Sequence, residues 1–66
     1  MPVISDTPEF CFELARRFAV LQRLAVSPSP DARLLAFEGR QMCEHGLIRP
    51  GIMRMRRAIM MLRAEG

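Results

Sequence analysis

Residues 27–50 read SPSPDARLLAFEGRQMCEHGLIRP, and this stretch decides the fold. Ser29-Pro30-Asp31 spells a helix start. A Ser oxygen accepts from otherwise orphaned amides, Pro suits the first helical position, and the acid complements the positive end of the helix. Apolar residues then recur at helical spacing as far as His45. Gly46 is placed to close that helix in the left-handed conformation, with Leu47 as the apolar contact such closures carry. Pro50 opens a third helix. Upstream, Thr7-Pro8-Glu9 repeats the start signal, and its pattern runs to about Val26, where Ser27-Pro28 stops it. No run shows the period-two alternation of a strand. The expectation is an all-α, three-helix small domain (about 8–26, 30–45 and 50–64) occupying residues 1–66, with residues 1–6 as a flexible N-terminal arm.

The helix faces carry more information than the boundaries. Phe10, Leu14, Phe18, Leu21 and Ala25 form an apolar stripe on the first helix, which Cys11 and Leu24 widen. Phe12, Ala15, Ala19 and Val20 lie outside it. On the second helix Ala32, Ala36, Gly39 and Cys43 make a stripe of small residues, assigned here to close helix packing. Gly39 costs about 1 kcal/mol of helix propensity relative to Ala, which fits a packing role. On the third helix Ile52, Met55, Ile59 and Leu62 form a heptad-like seam. Met53, Met60 and Ala64 form a second ridge with Arg57 among them; Met61 lies nearby, and Arg54 and Arg56 border the region.

A chain of 66 residues buries only about 60% of the surface that it exposes when unfolded. Half of its residues are apolar, more than three single stripes need. Surplus apolar helix surface marks an interface, so the chain is expected to associate as a homodimeric helical bundle. Charge is divided unevenly. Up to Leu47 five Arg face six Asp and Glu, a net of −1; from Ile48 onward five Arg face Glu65 alone, a net of +4. All ten cationic side chains are Arg, a bias that codon usage in a GC-rich genome explains most simply.

The candidate chemistries are thin. Cys43 and His45 stand two apart on a helix and point to nearly opposite sides, and a structural zinc site wants four ligands. No metal is expected, and both cysteines are read as small apolar packing residues. A Cys11–Cys43 bridge needs the first two helices to pack together, and a reducing compartment argues against it. Ser5, Ser27 and Ser29 sit in linkers or at caps, the single His has no nucleophile brought predictably within reach, and the glycines form no phosphate loop. Neither an enzyme nor a cofactor is expected. Two cysteines are too few for a secreted disulfide scaffold, and no signal segment is visible. The expected location is cytoplasmic, without membrane association.

Two function classes remain. Met adapts to irregular partner surfaces, and Arg pairs with carboxylates while its stem packs. Met53, Arg54, Arg56, Arg57, Met60 and Met61 are therefore the expected partner-binding residues of a small regulator, of the inhibitor, anti-activator or adaptor type, that binds another protein. Such chains include phage- and plasmid-encoded inhibitors. The alternative is a helix-turn-helix-like transcriptional regulator whose third helix enters a major groove. It has suitable proportions, with Gly46 in the turn and Arg able to read guanine. Met42 before the turn and three Met on the reading helix count against it.

Overall fold

The computed structural model describes residues 6–25 and 27–65. Three helices, α1 (Pro8–Leu24), α2 (Pro30–Glu44) and α3 (Ile48–Glu65), make a compact all-α domain, with no strand among the described residues. Its Cα extents are 31 × 28 × 14 Å, so the domain is a slab. α3 packs most extensively on α2 and next on α1, whereas α1 and α2 touch each other least.

Local chemistry sets the boundaries. Thr7 Oγ1 accepts from the Phe10 amide at 3.2 Å, and Ser29 Oγ accepts from the Asp31 and Ala32 amides at 3.1 and 3.3 Å. Each cap is followed by a Pro in the first turn. Gly46, at φ 81°, closes α2 through paired bonds, Leu47 N–H to Met42 O at 2.8 Å and Gly46 N–H to Cys43 O at 3.2 Å. These two bonds are the left-handed closure that satisfies orphan carbonyls.

Four boundaries differ from expectation, the end of α3 by one residue, at Glu65 rather than Ala64. α3 begins at Ile48 rather than Pro50, because the Leu47 carbonyl accepts the first helical bond, from Gly51 N–H at 3.0 Å. Leu47 thus ends one helix and starts the next. Pro50 is tolerated as the third helical residue because amides in the first turn have no intrahelical acceptor. α1 stops at Leu24, with Ala25 extended at ψ 138°; Val26 lies outside the described residues. α2 ends at Glu44, with His45 as its cap. Of the expected N-terminal arm, residues 1–5 lie outside the described residues, and Asp6 pairs with Arg49 at 3.4 Å.

The core comprises Cys11, Leu14, Phe18, Ala32, Ala36, Cys43, Ile52, Met55, Ala58 and Leu62, with Gly39 and Gly51 also buried. Ala32, Ala36, Gly39 and Cys43 are the buried residues of α2. Ala58, absent from the expected seam, is fully buried, while Ile59 is only partly buried. Leu24 does not widen the α1 stripe; it is 76% exposed, because α1 ends there.

The cysteines correct a larger expectation. Cys11 and Cys43 are joined in a disulfide, with Cα atoms 5.8 Å apart. They are not two separately packed thiols. The bridge ties the start of α1 to the end of α2, the helix pair with the smallest mutual contact. Disulfides persist in oxidising surroundings, so the cysteines lend no support to a cytoplasmic location.

Candidate functional site

Turned away from the core, α3 presents Arg49, Met53, Arg56, Arg57, Met60 and Arg63, all exposed. Met53 is 70% and Met60 68% exposed, the two largest apolar side chains on this face. Seven residues apart, they lie on nearly the same side of the helix, about 10 Å from one another along its axis. Arg49 is held by Asp6, but Arg56, Arg57 and Arg63 have no ion-pair partner among the described residues. The face is cationic because its charges are not neutralised locally.

The six expected partner-binding residues separate into two groups. Met53, Arg56, Arg57 and Met60 share the exposed face. Arg54 instead turns toward α2, where its Nε donates to Glu38 Oε1 at 3.4 Å, with both side chains about half exposed. Met61 is partly buried against the core. Neither belongs to the free cationic face.

Two residue groups outside that set matter. Leu14, Arg17 and Leu21 of α1 face Arg56, Ile59, Met60 and Arg63 of α3 across an open groove of about 510 Å³. Leu14, Leu21 and Ile59 supply its apolar lining; Arg17, Arg56 and Arg63 supply its charge. Spacings of three and four along α1 place Leu14, Arg17 and Leu21 together, but sequence alone does not tell which helix α1 faces there. Between α1 and α2, a second groove of about 480 Å³ is lined in part by Ala15, Ala19, Leu34 and Phe37, with Arg33 and Arg40 at its edges. Phe37 and Leu34 are 59% and 55% exposed.

Candidate chemistry can be placed as well. Cys43 is bonded to Cys11, and no group of three or more His, Cys, Asp or Glu among the described residues could hold a metal ion. His45 is exposed at the α2 cap. No helix is long and apolar enough to cross a membrane among the described residues. No family model, curated protein or solved structure matches the chain.

Proposed function

We propose that this chain is a small non-catalytic regulatory protein that acts by binding another protein through the exposed face of α3. One observation carries the reading: Met53 and Met60 stand exposed among Arg56, Arg57 and Arg63, which lack ion-pair partners among the described residues. A flexible, polarisable Met gains by moving from water into a partner's apolar pocket, and a planar Arg head pairs with carboxylates at the rim. A face of this composition suits an apolar patch bordered by acids.

Self-association belongs to the same reading, at a different surface. Phe37 and Leu34 project beside the small Ala15 and Ala19 in the α1–α2 groove. Around a two-fold axis the Phe37 of each copy would fill the hollow beside the other's alanines, as an isologous interface requires. The cationic face of α3 is unsuited to self-pairing, since like charges would meet.

Helix-turn-helix recognition of DNA is the second reading. It is favoured by the three-residue connection between α2 and the Arg-rich α3. Affinity capture from the source cell under nuclease, with wild-type chain and Met53→Asp as baits, separates the two. A protein held by wild type and lost with Met53→Asp is the expected result. Capture of nucleic acid alone in the matched untreated sample, falling steeply with salt, would replace the reading, because phosphate neutralisation releases counterions.

A further inference from the structure

We infer that the groove between α1 and α3 receives an acidic amphipathic helix of a partner protein. The inference rests on the protein-docking reading and identifies the kind of segment that is docked. Leu14, a core residue only 4% exposed, and the partly buried Leu21 and Ile59 line the groove, and the exposed Met60 stands at its edge. Arg17 adds positive charge from α1, and Arg56 and Arg63 add it from α3. Arg56 and Arg63 are seven residues apart, as are Leu14 and Leu21. Each wall therefore repeats over two helical turns, about 10 Å. That length matches a helix presenting apolar anchors at i, i+3 or i+4, and i+7 to a groove.

Charge selects the occupant. Arg56 and Arg63 have no ion-pair partner among the described residues. Arg17 has only a 3.7 Å contact with Glu13, with both side chains substantially exposed. Such a surface pair contributes little, so Arg17 can exchange it for an incoming carboxylate. Asp or Glu flanking the incoming apolar stripe would meet three guanidiniums. A second copy of this chain does not fit. Among the described residues each of Asp6, Glu13, Glu38 and Glu44 has an arginine beside it, so an incoming copy would bring guanidiniums against guanidiniums, while Glu9 and Asp31 each sit at a helix start rather than beside an apolar seam. Nucleic acid fits poorly too, since phosphates would meet Leu, Ile and Met between the arginines.

The test is selection of a displayed library of helical peptides against the 66-residue, disulfide-intact chain. Titration of the enriched peptide into wild type, Arg56→Glu/Arg63→Glu and Arg23→Glu then locates the binding. Enriched sequences should carry apolar residues at i, i+3 or i+4, and i+7, flanked by Asp and Glu. Affinity should fall at least about tenfold in the double charge reversal and less than about threefold in Arg23→Glu, an exposed position of α1 outside the groove. Amide NMR spectra of the variants check that the fold is kept. No enrichment, enrichment of neutral or basic flanks, or affinity unchanged by the charge reversal would overturn the inference. So would displacement of the peptide by duplex DNA or by anionic phosphatidylserine vesicles. Used as baits, Met53→Asp and Arg56→Glu/Arg63→Glu keep the two claims apart. A captured protein lost with Met53→Asp but kept with Arg56→Glu/Arg63→Glu sinks the groove and leaves docking intact. A captured protein indifferent to both sinks docking through the exposed face of α3.

Discussion

The carbonyl oxygen of Gly39 lies 3.0 Å from the point where a β-carbon on Gly51 would sit, and the Gly51 carbonyl is 3.0 Å from that point on Gly39. α2 and α3 therefore meet backbone to backbone at these two glycines, with the Met55 side chain packed against Gly39. The Cys11 sulfur is 3.1 Å from the same Gly51 position, so α1 is fastened at this junction. One end of the slab is thus fixed by two glycines and a disulfide, while the Met and Arg face of α3 is left outward.

Gly51→Ala should destabilise the fold. The new methyl would meet Gly39 O, the Cys11 sulfur and the Cys43 amide nitrogen, all within 3.1 Å. None is the free end of a flexible side chain. Overpacking costs about 1–3 kcal/mol, against which Ala returns about 1 kcal/mol of helix propensity. Gly39→Ala should be milder, because two of its three nearest contacts are with the flexible Met55 side chain; Gly39→Leu should be as severe as Gly51→Ala or worse. Thermal melts of the three variants check the order, and a Gly51→Ala melting temperature at or above wild type would show that the helices can part there without loss.

Removing the Cys11–Cys43 bridge should be costlier. It closes a loop with a sequence separation of 32, for which chain entropy gives roughly 3–4 kcal/mol. At about 4–8 °C per kcal/mol for a chain of this size, Cys11→Ala/Cys43→Ala should melt at least about 12 °C below the oxidised protein. Dithiothreitol should lower the wild-type melting temperature and leave the double variant unmoved. Equal melting temperatures with and without reductant, in wild type, would show that the bridge does not constrain the unfolded chain.

Gly46 allows backbone strain to be isolated. Nothing lies within 4 Å of a β-carbon built there, yet φ is +81°. Gly46→Ala should cost about 1 kcal/mol from conformation alone, and Gly46→Asn less, since Asn tolerates the left-handed region. Urea unfolding should show lower midpoints at unchanged slope, in the order Gly, Asn, Ala. A Gly46→Ala midpoint equal to wild type would mean that the turn can relax out of the left-handed conformation.

The same turn shows what sequence can and cannot reveal. Thr7-Pro8, Ser29-Pro30 and Gly46 mark boundaries through the chemistry of single residues, and they are readable. The start of α3 is not, because Leu47 acts there through its backbone carbonyl and has no capping side chain. Ala32, Ala36, Gly39 and Cys43 are readable as a stripe because their spacing is local. Gly51 and Ala58 are not, since their burial depends on which helix crosses them. The disulfide turns on the same question of which helices meet, to which compartment chemistry supplied a misleading answer. At the candidate site, the Met and Arg content of α3 is legible, but the contribution of Leu14, Arg17 and Leu21 requires knowing that α1 borders that face.

Phe37→Asp should separate self-association from folding. Phe37 is largely exposed and lies in the α1–α2 groove, so an acid there leaves the core untouched and puts a carboxylate, costly to desolvate, where a ring would fill the partner's alanine-lined hollow. Sedimentation should find wild type dimerising and the variant monomeric, with circular dichroism unchanged. A wild type that remains monomeric at millimolar concentration would remove the two-fold interface from the reading.

Met60→Asp should leave the fold largely intact and abolish binding to the partner. Met60 is 68% exposed, and exposed substitutions away from special features stay within about 0.5 kcal/mol; the lower helix propensity of Asp adds a similar amount. The melting temperature should therefore fall by only a few degrees. Partner binding should be lost outright, because a carboxylate replaces the apolar contact and sits between Arg56, Arg57 and Arg63, where it neutralises charge offered to the partner's acids. Salt gives the second axis of the measurement. A Met-centred contact should weaken only modestly between 50 and 200 mM salt, whereas a face making 6–10 phosphate contacts would lose roughly 10³–10⁵ in affinity over that range. A binding curve that collapses with salt, yet is unmoved by Met60→Asp, would identify the arginines alone as the contact and nucleic acid as the ligand.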